Sequence, residues 1–211
     1  MSNKSETGCH KYFLRPLSLE HIPTIARWHE RVEDLKLFDR RMPLPVGVEA
    51  TEGEWRTSID AKEPRTSYWF VINNPDVEVV GVAGLQDINY VHGDSVMAIL
   101  VAEPGRRKGI GIRCGALLLD VAFHQLRLNR VSSFVRADNE ASNQMTARLG
   151  FQEEGRIRKG WYVDGKHVDI RSIGILGDEW DAHSPKLMDE LGRDMQMTIG
   201  ESDSDKWCWP R

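Results

Sequence analysis

The segment Arg106-Arg107-Lys108-Gly109-Ile110-Gly111 lies between an apolar run and a helical one. Residues 95–101, before it, have the β-rich composition of a strand. The residues after it recur at the spacing of one helix face: Ile112, Gly115, Leu119, Ala122 and Leu126. In such a strand–loop–helix unit, unpaired backbone amides and the helix dipole point at the same place, and glycines let phosphate oxygens approach. The segment therefore predicts a binding site for a phosphate-bearing ligand.

Two common nucleotide-binding loops do not fit this segment. A P-loop needs Gly-Lys-Ser/Thr after a four-residue gap, whereas Gly111 is followed by Ile112-Arg113. A dinucleotide fingerprint needs GxGxxG, but Cys114 stands where the third glycine belongs. A nicotinamide enzyme and a basic turn that binds nothing remain as alternatives. Three consecutive cations beside two glycines favour a ligand with several phosphate charges.

The rest of the chain indicates a mixed α/β (α+β) fold. Apolar periodicity predicts helices over residues 22–28 and 49–59, and a short helix over residues 138–149 that ends at Gly150. β-rich runs between turn residues predict strands over residues 68–72, 79–85, 95–101, 130–135, 151–157 and 168–176. The first two strands are joined by Asn73-Asn74-Pro75-Asp76, which predicts a hairpin.

Composition and charge exclude several classes of protein. The chain has 211 residues with 28 Lys and Arg against 32 Asp and Glu, so it lacks the basic footprint of a nucleic-acid-binding protein. Its longest apolar run, residues 79–85, is too short to cross a membrane. The N-terminus has no apolar signal segment, and the cysteines and histidines lack metal-binding spacing. We therefore expect a cytoplasmic protein without a metal.

Residues 178–211 differ in charge from the rest, with nine acids against four bases. This difference predicts two parts, a folded domain over residues 1–177 and an acidic C-terminal helix and tail over residues 178–211. Within the second part we expect a short helix over residues 185–195 followed by a frayed end. A solvated surface is the simplest interpretation of the acids, and attraction of a cationic substrate is the alternative.

The pattern Arg106-x-x-Gly109-x-Gly111 resembles the acyl-CoA loop of the GCN5-related N-acetyltransferase (GNAT) superfamily. The resemblance continues in register through Ala122-Phe123, Leu128-Asn129-Arg130-Val131, Asn139-Glu140-Ala141-Ser142-Asn143 and Arg148-Leu149-Gly150-Phe151-Gln152-Glu153-Glu154-Gly155. This run is similar to the RimJ/RimL-like branch, the ribosomal-protein-alanine N-acetyltransferases. The resemblance covers roughly residues 12–180 and implies the acyl-CoA N-acyltransferase fold, a central, mostly antiparallel, splayed sheet flanked by helices.

The resemblance also implies acetyl-CoA as the acyl donor. In the family, the pantetheine arm enters between two splayed strands and the pyrophosphate binds the loop amides. The cofactor-binding residues that follow from it are Leu100, Val101, Arg106, Arg107, Lys108, Gly109, Ile110, Gly111, Asn139 and Asn143. Asn139 or its neighbour Asp138 is also a good helix cap, and the two roles are compatible.

The catalytic residues follow the family pattern less closely. Many relatives use a tyrosine as the acid for the thiol, but Thr146 stands at that position. The ribosomal branch places a serine three residues after the asparagine, which makes Ser142 the group expected at the sulfur, with plain helix capping as the alternative. The branch's glutamate base falls near Trp161. Tyr162 is our candidate catalytic group there, and the other candidate bases are Asp87 and Glu33. An α-amine with a pKa near 8 would need no base.

The predicted activity is transfer of an acetyl group to a primary amine by direct attack in a ternary complex. The acceptor is a protein N-terminus or a small-molecule amine. We expect it to bind between the first two helices, the loop at residues 42–45 and the last hairpin, near the aromatic residues Trp28, His29, Trp55, Trp161 and Tyr162. A catalytically silent acyl-CoA-binding sensor or scaffold is the alternative. Dimers are common in the family, so a homodimer is the assembly that the resemblance suggests.

Overall fold

The computed structural model describes residues 9–30, 44–102, 109–200 and 207–210. The predicted loop residues Arg106, Arg107 and Lys108 lie outside the described residues, as do Glu33 and part of the loop at residues 42–45. Within the described part, the strands are β1 (His10–Pro16), β2 (Tyr68–Asn73), β3 (Val79–Asn89), β4 (Asp94–Val101), β5 (Arg130–Arg136), β6 (Gln152–Val163), β7 (Lys166–Leu176), β8 (Met195–Ile199) and β9 (Cys208–Trp209). The α-helices are α1 (Ile22–His29), α2 (Val48–Ile59), α3 (Ile110–Asp120), α4 (Glu140–Arg148) and α5 (Gly177–Leu191).

These strands form one sheet in the order β6-β7-β5-β4-β3-β2-β1-β8-β9. Neighbouring strands are antiparallel except for the parallel pairs β4–β5 and β1–β8. The predicted mixed α/β class, with a mostly antiparallel sheet flanked by helices, is therefore confirmed. A dinucleotide-binding fold would need a parallel sheet with crossover helices, so the nicotinamide alternative is wrong.

Helix α3 forms the centre of the main core. Its residues from Ile112 to Asp120 are all buried against one face of the sheet. The opposite face carries a smaller apolar cluster that includes Leu17, Ile25 and Val71. Trp28 and Trp55 pack against this smaller cluster, and the Trp55 ring meets Trp69 edge-on with centroids 4.9 Å apart. No helix in the described ranges is long and apolar enough to span a membrane.

The C-terminal region differs from its sequence prediction. The helix predicted over residues 185–195 is α5, Gly177–Leu191, whose first turn carries Asp178 and Glu179 at the positive end of the helix dipole. The predicted frayed end after residue 195 is wrong. Met195 begins strand β8, which pairs with β1 at the register His10↔Met195. Periodicity missed β8 because a five-residue strand shows a clear pattern only beside its partner strand, which was itself not predicted.

Candidate functional site

Strands β4 and β5 separate soon after they meet. Their parallel pairing runs from Asp94↔Arg130 to Val96↔Ser132. Beyond this point β4 remains paired with β3 as far as Val101, and β5 remains paired with β7 as far as Arg136. Each strand is therefore fixed by its outer neighbour while the two inner edges diverge. The sheet is splayed between the two strands where the family resemblance implied entry of a pantetheine arm.

A cavity of about 220 Å³ occupies this opening. It is lined by both separating strands, by one side of α4 and by single residues of β3 and β6. The lining residues are Gln86, Val96, Met97, Ala98, Ile99, Ser133, Phe134, Val135, Arg136, Asn139, Ser142, Met145, Thr146 and Trp161. Two predicted site residues, Asn139 and Ser142, are thus brought together on one wall.

Asn139 and Ser142 both lie at the N-terminal end of helix α4. Asn139 is its N-cap, and the Asn139 Oδ1 atom accepts a hydrogen bond from the Ser142 backbone N–H at 3.2 Å. The capping alternative is therefore correct for Asn139 Oδ1. The Asn139 Nδ2 group and the Ser142 hydroxyl make no hydrogen bond with a described residue. Both groups remain available to a ligand in the cavity.

Thr146 is buried one helical turn further along α4. Its hydroxyl donates to the carbonyl oxygens of Ser142, at 2.9 Å, and of Asn143, at 3.3 Å. The Thr146 hydroxyl proton is therefore used in bonds to the helix backbone. It does not replace the tyrosine proton that many relatives offer to the thiol. The bond to the Ser142 carbonyl oxygen also helps to hold the backbone at Ser142 in place.

Asn143 is used inside the protein. Its Nδ2 atom donates to the carbonyl oxygens of Arg136, at 3.1 Å, Ala137, at 3.1 Å, and Asn139, at 2.9 Å. Its Oδ1 atom accepts from the Arg171 side chain. These contacts tie the end of β5 to the start of α4. They give Asn143 a role in positioning, whereas the resemblance implied contact with the cofactor.

Arg136 is the ionisable side chain among the lining residues, and its guanidinium is held from two sides. It binds the Asp138 carboxylate through two hydrogen bonds of 2.9 and 3.0 Å, and its Cζ atom lies 5.7 Å from the centroid of the Trp161 ring. The hydrogen bonds from Arg136 hold the pKa of Asp138 below its ordinary value. The Arg136 side chain is 9% exposed and its charge is paired with the Asp138 carboxylate, so these contacts hold it in one position at the cavity wall.

Other predicted residues lie outside the lining of this cavity. Tyr162 is 62% exposed and its ring packs on His167, with centroids 5.0 Å apart. It adjoins Trp161 in sequence, but successive residues of a strand point to opposite faces. Leu100, on β4, packs against the smaller apolar cluster. Asp87 is exposed and, like Tyr162, does not line the described cavity.

Helix α3 begins at a glycine in a left-handed conformation. Gly109, its N-cap, has a φ of 74°, a left-handed conformation that favours glycine. A Cβ atom on Gly111 would lie 3.0 Å from Met145 Sδ and 3.8 Å from a Val101 methyl group. The amide end of α3 therefore lies beside the far end of β4 and beside α4. The lining residues of the cavity do not include Gly109, Ile110, Gly111 or Val101.

Cys114 is excluded as a nucleophile by its position inside the core. It is fully buried on α3, and burial raises the pKa of its thiol well above the ordinary range. An acyl-enzyme intermediate on this cysteine is therefore not supported. Cys9 is exposed and Cys208 is buried.

Gln86, Ser133 and Arg136 are lining residues that the sequence analysis missed. They belong to three points on β3 and β5 that are distant in the chain and meet through sheet pairing. Each occupies a strand position with an ordinary polar side chain. No local pattern distinguishes it from a polar residue facing solvent.

Comparison with known proteins identifies the family. The model of the acetyltransferase (GNAT) domain matches residues 11–152, which is more than half of the chain. The chain belongs to the GNAT acetyltransferase family. The chain is also similar to a putative ribosomal N-acetyltransferase, YdaF, from Bacillus subtilis, with 33% identity over 106 residues. That match covers 50% of this chain and 58% of the relative.

A second GNAT relative is named for a small-molecule amine. It is the spermidine N(1)-acetyltransferase of Vibrio cholerae, 25% identical over 111 residues, with 53% of this chain and 64% of the relative covered. The chain thus spans less than two thirds of either relative. A crystal structure of spermidine N-acetyltransferase from Vibrio cholerae with CoA and spermine has a TM-score of 0.72, with 21% identity, and covers 80% of this chain and 97% of the other. This likeness establishes a shared fold.

Proposed function

We propose that this protein is an acetyl-CoA-dependent N-acetyltransferase whose acceptor is a primary amine. The observation that carries the proposal is the cavity between the separating strands β4 and β5, with Asn139 and Ser142 on its α4 wall. Membership of the GNAT family supports the same activity. Acetyl-CoA would lie with its pyrophosphate at the start of α3 and its thioester in the cavity.

The reaction would proceed by direct attack. The neutral amine nitrogen bonds to the thioester carbonyl carbon, the carbon–sulfur bond breaks, the nitrogen loses a proton and the thiolate gains one. Burial of Cys114 supports this route over an acyl-enzyme. Asn139 Nδ2 would donate to the pantetheine arm, and the Ser142 hydroxyl would contact the sulfur.

The described lining favours an acceptor amine of low pKa. None of the described lining residues is an Asp, Glu or His, so the described cavity wall offers no general base. An α-amine, with a pKa near 8, can lose its proton to water at neutral pH, whereas an alkylamine near 10 needs a base. We therefore place a peptide or protein α-amine ahead of a polyamine as acceptor. The Vibrio relative and its spermine complex keep the polyamine as the second candidate.

A thiol-release assay tests the activity. Purified protein is mixed with acetyl-CoA and either a peptide with a free N-terminus or spermidine, and free CoA is followed over time. We expect acceptor-dependent release, with the acetylated peptide identified by mass spectrometry. A protein that binds acetyl-CoA but releases no CoA with any amine would be the catalytically silent module.

Variants on α4 test the role of Ser142. Ser142→Ala should lower kcat at least tenfold with little change in the KM for acetyl-CoA, since general acid catalysis typically contributes more than this. Gln144→Ala is the matched control, because Gln144 is exposed on the same helix. Equal turnover in Ser142→Ala and Gln144→Ala would remove Ser142 from the mechanism without affecting the proposed activity.

A pH profile tests whether the reaction proceeds without a general base from the protein. For the peptide acceptor, kcat/KM should rise tenfold per pH unit below the pKa of the α-amine and level off near pH 8. A plateau that begins near pH 6 would instead require a general base, contributed by the protein. Tyr162 and Asp87 would then be the first positions to substitute.

The assembly and the domain division remain proposals of the same kind. We propose a homodimer, as the family resemblance suggests, with residues 1–177 as the acetyltransferase domain and residues 178–211 as a C-terminal extension. Sedimentation of the full chain and limited proteolysis near residue 177 test the two statements separately.

A further inference from the structure

We propose that Ser133 sets the inner end of the acyl cavity and so determines which acyl groups the enzyme transfers. The proposal rests on the proposed acetyltransferase function and goes beyond it to the choice of acyl donor. It begins at the point where β4 and β5 separate. The last backbone pair is Val96↔Ser132, and one residue further the Ser133 hydroxyl donates to the Met97 carbonyl oxygen at 3.1 Å.

This side-chain bond joins β4 to β5 one residue beyond their last backbone pair, and we call this Ser133–Met97 junction the seam. Met97 and Ser133 both line the cavity, and Met97 is 3% exposed. Beyond them, the β4 side of the opening is formed by Ala98 and Ile99 and the β5 side by residues 134–136. The bond from Ser133 to Met97 therefore joins the two inner edges near the inner end of the opening, where Gln86 and Val96 complete the lining.

The pairings of β4 and β5 with their outer neighbours make the position of Ser133 important for the length of the opening. On its other edge β5 is paired with β7 from Arg130↔Leu176 to Arg136↔Ile170, and β4 is paired with β3 up to Gly81↔Val101. Because both strands are held from outside, the length of the opening depends on where the inner edges first join. Removing the Ser133 hydroxyl moves that point back towards Val96.

The reactive end of the donor should lie near this seam. Gly109, where we place the pyrophosphate, follows the far end of β4, and Val101 lies four residue steps along the strand from Met97, about 13 Å. A donor whose pyrophosphate binds at Gly109 and whose arm follows β4 inwards brings its acyl group towards Met97. Ser133 is then the side chain that limits the space beyond the acetyl methyl group.

Ser132 provides a matched control one residue away. Its hydroxyl accepts from Arg130, at 3.3 Å from Nε and 3.2 Å from Nη2, and it does not line the described cavity. Both serines are half-buried on the same strand. Ser132→Ala therefore removes an equivalent hydroxyl from β5 without touching the seam.

The test compares acyl donors of increasing length. The ratio of kcat/KM for acetyl-CoA to that for propionyl-CoA is measured with one acceptor amine for the wild type, Ser133→Ala, Ser133→Thr and Ser132→Ala. One methylene in a close-fitting pocket is typically worth at least a tenfold discrimination. We expect the ratio to fall about tenfold in Ser133→Ala and to stay within twofold of wild type in Ser132→Ala. In Ser133→Thr, which keeps the hydroxyl and adds a methyl group, the ratio should not fall below that of the wild type.

An unchanged ratio in Ser133→Ala would overturn the proposal, even if overall turnover fell, because a purely structural role lowers both rates together. If Ser133→Ala does not fold, Ser133→Cys replaces it, since a thiol is a weaker donor of similar size. A partial fall in the ratio is expected there, and an unchanged ratio again counts against Ser133.

The proposed function can fail separately. If the wild type releases no CoA with any amine, the proposed activity is wrong, and calorimetric titration with acetyl-CoA and propionyl-CoA still tests the seam. The wild type should then bind acetyl-CoA more tightly, and the preference should shrink in Ser133→Ala. Equal preferences in the two proteins would refute the role of Ser133.

Discussion

Helices α3 and α4 both border the candidate site, but they are built in opposite ways. From Ile112 to Asp120, every residue of α3 is buried. In α4, Thr146 is the buried residue, and the polar groups at its start reach the cavity. The comparison indicates that α3 mainly supplies buried apolar surface to the core, while α4 places polar side chains in the wall of the cavity.

The largest effect expected from this comparison is on the α3 core. Leu118 is fully buried, so Leu118→Ala should lower the free energy of unfolding by about 3 kcal/mol through lost burial and a residual cavity. Thermal melting would detect this as a fall of roughly 6–12 °C for a chain of this size. Gln144→Ala on α4 should change the melting temperature by less than about 2 °C. Similar losses in the two variants would show that the helices do not differ in this way.

A smaller effect is expected where α3 meets the C-terminal region. The Arg113 side chain is 6% exposed, and its Nη2 atom donates to the Leu191 carbonyl at 2.6 Å and to the Asp194 carboxylate at 2.7 Å. Asp194→Ala should cost about 2 kcal/mol, less than the breaking of a fully buried pair, because the Asp194 side chain is 78% exposed.

The double variant sharpens this prediction. Arg113→Met keeps the apolar stem and removes the charge, so adding it to Asp194→Ala should restore part of the lost stability. Urea unfolding of the two single variants and of the double variant measures the coupling. Strictly additive losses would mean that the two side chains do not interact energetically.

Two substitutions of Asn139 separate stability from ligand binding in α4. Asn139→Ala removes the cap and should cost about 1 kcal/mol. Asn139→Asp keeps an oxygen acceptor for the Ser142 amide but loses the Nδ2 donor. Its stability should match the wild type while its affinity for acetyl-CoA, measured by calorimetry, falls. An Asn139→Asp protein with wild-type affinity would leave Asn139 as a cap and nothing more.

The smallest effect is the pH dependence at the edge of the cavity. Hydrogen bonds from Arg136 lower the pKa of Asp138 in the folded protein. The pair therefore stabilises the fold at pH values above 3.8, the pKa of this group in the unfolded chain. The contribution is lost as pH falls through the lower, folded pKa. Because the Asp138 side chain is 44% exposed, we expect less than about 1 kcal/mol.

Melting of the wild type and of Asp138→Asn at a series of pH values measures this contribution. The difference in stability between the two proteins should be constant from pH 5 to 7 and shrink below about pH 4. A difference that persists unchanged at the lowest pH would mean that the charge of Asp138 is not what stabilises the fold.

Elements with a strong local signal were predictable from the sequence. The spacing of Ile112, Gly115 and Leu119 predicted α3, and the turn at Asp164-Gly165 separates two strands that do form a hairpin. The cap residue Asn139 and the stop at Gly150 predicted a short helix over residues 138–149, and α4 is Glu140–Arg148. These signals are local because capping and amphipathic burial act within one or two turns of chain.

Elements that depend on a distant partner were not predictable in the same way. Strands β1 and β8 begin at His10 and Met195 and stabilise one another across most of the chain. Neither has enough length or alternation to be recognised alone. Sequence periodicity reports which face of an element is apolar, but it does not report which element covers that face.

The amino-acid sequence by itself determined the order of the central elements, the glycine at the start of α3 and the family to which the chain is similar. Tertiary structure alone decided where β4 and β5 part, and therefore that Ser133, Arg136 and Trp161 share a cavity with Ser142. The physical reason is that turns and caps arise from neighbouring residues. The cavity arises instead from the register of strands that are far apart in the chain, and that register is fixed only when the whole sheet has formed.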